Sequence, residues 1–218
     1  VINDILDFSK IEAGKVVVET IAFDLGRLVS DAIKTVAFEA HRKGVKLLSE
    51  IESDVPLHVL GDPGRLRQVL LNLLGNAIKF TERGEVVLTV STLAIGGGHC
   101  DLKFSVRDTG IGIAPDKLGA IFEAFAQQDS SITRVYGGTG LGLTISARLL
   151  EAMGGRIWVD SVVGEGSVFQ FMLGFALDSQ FQTGGRLIAE LAGQRMLVID
   201  DNADNRTWLS RTLEGVDV

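Results

Sequence analysis

Cysteine is almost absent from this chain of 218 residues. Cys100 stands alone, so no internal disulfide can form, and a reducing, cytoplasmic setting is the natural expectation. No run of about 18 apolar residues exists, so no segment reads as a bilayer-crossing helix and no membrane contact is expected. Positive charge is the minority sign, with 21 Lys and Arg against 28 Asp and Glu, and the net charge of −7 argues against nucleic acid as the main partner. Two familiar phosphate loops are also missing. GxxxxGK[ST] occurs nowhere, and GxGxxG fails because Leu143 stands three residues after Gly140, where glycine is required. There is no internal repeat and no low-complexity tract. The sequence opens on Val1 with neither Met nor a leader, as expected of a piece of a longer protein.

What is present suffices to fold. With 46% hydrophobic and 22% charged residues the chain can bury a core, and its length allows one ordinary domain and part of another. Residues 1–13 read as the last turns of a helix stopped by Gly14. Asp24 caps a second helix whose stripe is Leu25, Leu28, Val29, Ala32, Ile33 and Val36, closed by Gly44. Val45, Leu47 and Ile51 alternate as a strand does. Asp62 and Pro63 open a helix running to about Phe80. Two alternating runs, Val86 to Ile95 and Leu102 to Val106, joined by "GGGHCD", form an expected hairpin. Residues 113–135 are too long and polar for an ordinary connection and read as a lid with short helical pieces. A helix over 140–153, the strand "RIWVDS", the turn "VGEGS" and the strand "VFQFMLGF" complete the domain. Residues 176–193 read as a linker, and "RMLVIDD" begins a new strand.

Chemistry concentrates in four places. On the helix 62–80, Arg65, Gln68, Asn72, Asn76 and Lys79 share one narrow face of an otherwise apolar element. That stripe is either a solvated side or a site. Two asparagines one turn apart, costly to a helix, favour a site, since their amide oxygens can ligate Mg2+ beside phosphate and Lys79 can offset phosphate charge. In "RDTGIGI" a strand delivers Asp108 to its end, with Gly110 and Gly112 following; the carboxylate caps a turn or accepts a hydrogen bond from an exocyclic amine. In "YGGTGLGL" glycines run straight into a helix, where bare backbone and unpaired N–H groups suit a phosphate. "VGEGS" alone is only a hairpin turn.

Taken in order, "NLLGNAIKF", "DTGIG", the long segment with "FEAF", "GGTGLGL" and "GEGS" resemble the catalytic ATP-binding domain of sensor histidine kinases, within the wider gyrase, chaperone and mismatch-repair ATPase superfamily. The resemblance runs from about residue 1 to 177. It implies an α/β (α+β) fold of the Bergerat type: a two-layer sandwich of a mixed, mostly antiparallel sheet and three helices. It implies ATP and Mg2+ as ligands, with Asn76 on the metal and Asn72 and Lys79 as neighbours to metal and phosphates. Asp108 would hold adenine, with Phe80, Gly110, Gly112, Ile113 and Ser167 around it. Phe122, Phe125, Arg134 and Tyr136 would be lid residues, and Gly138, Thr139, Gly140, Leu141, Gly142 and Leu143 would cradle the phosphates. Val135 stands where many relatives carry a second basic residue.

The resemblance also divides the chain. Residues 1–14 match the end of the family's dimerisation and phosphoacceptor hairpin, 15–177 the catalytic domain, 178–194 a linker, and 195–218 the truncated start of a receiver domain with Asp200 and Asp201 as its Mg2+ pair. The partners implied are that hairpin and a receiver domain or response regulator. The phosphorylated histidine of the family precedes an acidic residue; His41, His58 and His99 precede Arg42, Val59 and Cys100, so none fits. Hydrolysing members of the superfamily carry a glutamate base where this chain has Asn72, an amide that cannot take a proton, so slow ATP hydrolysis is expected. A nucleotide-binding regulatory module without transfer activity is the competing reading; a protein Ser/Thr kinase of the superfamily fits the two chain ends less well.

Overall fold

The computed structural model describes residue 9 and residues 17–123 and 140–178. The expected N-terminal helical turns (apart from Ser9), Phe125, Arg134, Val135, Tyr136, Gly138, Thr139, the segment after 178, and Asp200 and Asp201 lie outside the described residues. The described elements belong to one compact unit ending at Leu177.

Caps set the helices. Asp24 Oδ1 accepts from the Arg27 N–H at 2.8 Å and opens α1 (Leu25–Lys43), which stops at Gly44 in the left-handed conformation. Asp62 does the same for α2 (Pro63–Phe80), accepting from the Arg65 N–H at 2.9 Å while its second oxygen takes the Glu19 N–H. At the far end of α2, Lys43 Nζ donates to the carbonyls of Ile78 and Lys79 at 2.7 and 2.8 Å, satisfying acceptors that a helix leaves open. The third helix, α3 (Gly142–Ala152), is different: its N-cap residue, Leu141, has no side-chain oxygen to cap it, and its first turn holds no acidic residue.

Seven strands form one mixed sheet: β1 (Ile21–Asp24), β2 (Val45–Ile51), β3 (His58–Gly61), β4 (Gly84–Gly96), β5 (His99–Asp108), β6 (Arg156–Val162) and β7 (Gly166–Leu177). The order is β1-β3-β7-β5-β4-β2, with β6 also paired to β7. Only β2 and β4 run parallel; every other pairing is antiparallel. One face of the central strands is buried through Val86, Leu88, Val90, Leu102, Phe104, Val106, Phe169, Phe171 and Leu173, and the alternate residues, Ser91 and Gly166 apart, are not. The helices cover that face, with α2 in contact with both α1 and α3, which makes a two-layer sandwich. Phe104 and Phe171 stack at its centre, ring centroids 4.6 Å apart.

The alternation that buries Val106 also buries Asp108 two residues on, at the end of β5. A carboxylate is thus delivered to the helix-facing side.

Three boundaries differ from the sequence reading. β1 and β3 are strands it did not assign, four residues each and too short to show a period. The "GGGHCD" link contracts to a turn at Gly97 and Gly98, whose φ of 60° and 77° fit a two-residue hairpin turn. α3 begins at Gly142 rather than 140, because Gly140 sits at φ 70°.

Candidate functional site

The polar stripe of α2 carries two hydrogen-bonded pairs. Arg65 Nη1 donates to Gln68 Oε1 at 3.0 Å, and one turn further Asn76 Nδ2 approaches Asn72 Oδ1 at 3.5 Å. Asn72 Nδ2 in turn donates to Ser146 Oγ on α3 at 2.9 Å. Ser146 is buried, and in this arrangement the Asn72 amide turns its nitrogen to α3 and its oxygen to Asn76. The Asn76 amide then commits its nitrogen to Asn72, which leaves its oxygen for a ligand. Sequence reading missed Ser146; its one signal was a polar residue inside an apolar helix.

Gly142 at the start of α3 presses on the same asparagine, since a Cβ there would fall closer than 3.0 Å to Asn72 Oδ1. This glycine therefore serves the fit of Asn72 as well as bare backbone. Gly142→Ala is expected to leave fold stability within about 1 kcal/mol, because alanine suits a helix better than glycine. It should weaken nucleotide binding about tenfold by displacing the amide. Thermal melts with and without an ATP analogue check this; equal ligand-induced shifts in variant and wild type would refute it.

At the other end of α2, the chain after β5 wraps the helix terminus. Ile111 N–H reaches the Phe80 carbonyl at 3.3 Å, and a Cβ on Gly110 would collide with that same carbonyl. Gly112, at φ 68°, leaves no room for a Cβ beside the Val162 carbonyl of the β6–β7 hairpin. Both glycines are demanded by close backbone approach, not only by the turn.

Asp108, 6% exposed, sits between these contacts. Burial pushes its carboxyl above the usual range, while N–H donors of Gly110, at 2.8 Å, and Ser167 hold it down. Ser167 lies directly across β7 from Asp108, and Ser161 of β6 directly across from Ser167. Ser161, which the sequence reading did not single out, accepts from the Ile113 N–H at 2.8 Å and touches Ser167 Oγ at 3.0 Å.

Other expected site residues are placed as follows. Lys79 is half-buried, its Nζ 4.9 Å above the Phe80 ring, and burial lowers its pKa. Phe122 packs edge-on against Phe169 at 6.4 Å, Ile113 is buried, and Leu141 buries its side chain in the core with Leu143 packed against it. The Phe122 and Leu141 side chains thus serve packing. Leu141 can meet a phosphate only through its main chain.

Asn72, midway along α2, and Phe80 at its C-terminal end are eight residues apart, about 12 Å along the axis at the rise of an α-helix. The C-terminal end of α2 offers a buried acceptor, and its middle offers amide groups beside the N-terminus of α3. A base with a phosphate tail matches that polarity.

Residues 61–177 match the family model described as histidine kinase-, DNA gyrase B- and HSP90-like ATPase. The chain belongs to this ATPase family. Among curated relatives, the signal transduction histidine-protein kinase BarA of Shigella flexneri is 43% identical over 203 residues, 93% of this chain and 22% of that protein. The sensor histidine kinase GacS of Pseudomonas protegens is 44% identical over 217 residues, 98% of this chain and 23% of its own length. The chain thus spans less than a quarter of these relatives.

Among solved structures, full-length ShkA in complex with AMPPNP aligns with a TM-score of 0.73 and 39% identity, covering 98% of this chain and 42% of that one. The catalytic domain of histidine kinase ThkA, nucleotide-free, aligns with a TM-score of 0.58 and 27% identity over 72% of this chain and 97% of its own. The seven-stranded mixed sheet with helices on one face is the α/β fold of these histidine kinase catalytic domains. Among the described residues no helix is long and apolar enough to cross a membrane.

Proposed function

We propose that this chain is the ATP-binding catalytic part of a hybrid sensor histidine kinase. It moves the γ-phosphoryl group of ATP to a histidine on the upstream hairpin, and the group passes from there to a receiver aspartate. The observation that carries this reading is the polarity of α2, with the Asp108 pocket at its end and the Asn72–Asn76 pair against the α3 N-terminus. The kinase names of the relatives and the AMPPNP held by ShkA support it.

In this reading Asp108 takes the adenine amine, and Gly140 to Leu143 offer main-chain N–H groups to the phosphates. Asn76 holds Mg2+ through its amide oxygen, with Asn72 and Lys79 beside the phosphates. The donor set fits that ion. The Asn76 amide oxygen is a hard oxygen ligand left over once the amide nitrogen is turned to Asn72, and oxygen ligands with water and phosphate are what Mg2+ takes. When bound, the ion neutralises charge on the β- and γ-phosphates. Asn72, an amide tied to Ser146, has no basic lone pair with which to activate water. The histidine nucleophile attacks phosphorus, its N–P bond forms as the bond to the ADP oxygen breaks, and the protein supplies position and charge rather than covalent chemistry.

Residues 1–14 then end the hairpin, and 178–194 link the catalytic domain to a receiver start at 195–218 in which Asp200 and Asp201 form the acidic Mg2+ pair. The site faces the cytoplasm, with Arg134 and Tyr136 closing over the nucleotide.

Calorimetric titration with an ATP analogue, with and without Mg2+, tests the reading. Micromolar binding tightened by Mg2+ is expected. In Asn76→Ala the tightening should vanish; an equal Mg2+ effect in both proteins would remove Asn76 from the metal. Supplying the hairpin in trans separates a kinase from a regulatory nucleotide module, since only a kinase labels the hairpin histidine.

A further inference from the structure

β5 leaves the sheet just past Asp108, and the ladder shows how. Val86 stands opposite Asp108, so Glu85 and Thr109 form the next pair. The Thr109 N–H reaches the Glu85 carbonyl at 3.2 Å, which marks this pair as the kind in which two residues normally exchange both main-chain bonds. The return bond is different. The Glu85 N–H donates at 3.0 Å to Oγ1 of Thr109, and that hydroxyl stands 3.4 Å from the Glu85 carbonyl, its available acceptor. A side chain has taken the place of its own main-chain carbonyl, as a threonine hydroxyl can where it competes with a ladder. Gly84 makes the room: at φ 118° it has no side chain, and a Cβ there would land on Thr109 Oγ1.

The consequence falls on the next two residues. Because Glu85 does not draw on the Thr109 carbonyl, the chain can turn off β4 at this residue, and it does so at once. The Gly110 N–H returns to Asp108 Oδ1 at 2.8 Å, and the Ile111 N–H reaches the Phe80 carbonyl at 3.3 Å. One more full main-chain pair would carry Gly110 onward along the sheet and away from the carboxylate.

We propose that Thr109 is a positioning residue of the base site: its hydroxyl ends the β4–β5 ladder one residue past Asp108 and so holds the Gly110 N–H on the Asp108 carboxylate. The inference rests on the reading of Asp108 as the acceptor of the adenine amine. The Gly110 and Ser167 N–H groups together fix the rotation of that carboxylate, and with it the direction of the lone pairs left for a ligand.

Thr109→Val keeps the β-branched outline and removes the hydroxyl. Titrated into the whole chain, a non-hydrolysable ATP analogue should bind about tenfold more weakly, the weight of one hydrogen bond. The factor by which Mg2+ tightens binding should stay as in the wild type, because Asn76 is bonded to Asn72 and not to this turn. In the amide correlation spectrum of the nucleotide-free chain, the Gly110 proton should move upfield as its bond to the carboxylate is lost. Thr109→Ser, which keeps the hydroxyl, should restore both affinity and resonance. Thr109→Ala drops the hydroxyl without setting a methyl group against the Glu85 N–H, and it serves the same comparison if Thr109→Val fails to fold.

A merely structural role would lower the melting temperature and leave the Gly110 resonance and the affinity of the folded chain where they were; that result overturns the proposal. So does Thr109→Ser behaving like Thr109→Val, which would assign the effect to shape. A fall in affinity with the Gly110 resonance unmoved overturns it as well. A wild type that binds the analogue beside variants that bind it equally sinks the Thr109 assignment and leaves the ATP site standing. A wild type that binds no analogue sinks both.

Discussion

Gly166→Ala is expected to cost about 4 kcal/mol of stability or more, combining strain at a disfavoured φ with overpacking against main chain. Gly166 sits at φ 119°, outside the reach of L side chains, and a Cβ there would fall within 3.0 Å of the Asp108 carbonyl oxygen, its carbonyl carbon and the Thr109 Cα. None of these atoms can step aside as a flexible side chain would. The strands β5 and β7 must part at the end where Ser167 N–H meets the Asp108 carboxylate, so the base pocket is lost with the packing. In a chain of this size the melting temperature should drop by roughly 10 °C. Gly164, in the same hairpin at φ 82°, has open space for a methyl group, with no atom within 4 Å of where its Cβ would stand. Gly164→Ala should therefore cost only the backbone term, about 1–2 kcal/mol. Urea unfolding of both variants decides the matter, with the denaturant slope checked for constancy. Equal losses would mean that the close approach of Gly166 to Asp108 carries no energy.

That contrast marks where sequence reading stops. A glycine after a turn is visible in "VGEGS", but whether it is there for its φ or for what lies across the strand depends on a partner fifty-eight positions away in the chain. The helices were legible because their signals are local: Asp24 and Asp62 cap the turns that begin beside them, and Gly44 ends the helix it follows. The β4–β5 hairpin was legible for the same reason, its two long alternating runs being adjacent. β1 and β3 were not, since four-residue strands have no period and exist because β7 and each other pair with them.

The site divides the same way. Asp108 could be placed at a strand end and Asn72 and Asn76 on one helix face from spacing alone. Their surroundings could not, because these lie across elements: Asn72 bonds Ser146 of α3, and Ser161 of β6 meets the Ser167 hydroxyl. Ser146 lies on a helix whose packing against α2 the sequence did not specify, whereas the β6–β7 hairpin that carries Ser161 was expected and is present. The Ser161–Ser167 register follows only once the turn between β6 and β7 has fixed the hairpin.

Asp108→Asn is expected to weaken ATP binding about ten- to a hundredfold, the loss of 1–3 kcal/mol that follows a mismatched buried hydrogen bond. The carboxylate accepts from the Gly110 and Ser167 N–H groups and has lone pairs left for an amine. An amide has one oxygen only. Turned inward, it shows an NH2 to the amine of the base; turned outward, it sets that NH2 against two main-chain donors.

Stability should move differently. Burial raises the Asp108 carboxyl above its ordinary value of 3.8, so the folded state holds the proton more tightly than the unfolded chain. The stability this contributes is complete below 3.8 and is lost as pH rises through the raised value. The neutral amide carries no such loss. Measured as the wild type minus the variant, stability should therefore fall as pH climbs out of the acid range and level off once Asp108 is ionised. Near neutral pH the variant should be at most slightly less stable than the wild type while binding far more weakly. Unchanged affinity would remove Asp108 from the base pocket, and a loss of affinity matched by an equal loss of stability at every pH would make it a structural residue. The expected divergence, with binding lost and folding kept, is what a fold shows when it carries a buried charge for the sake of its ligand.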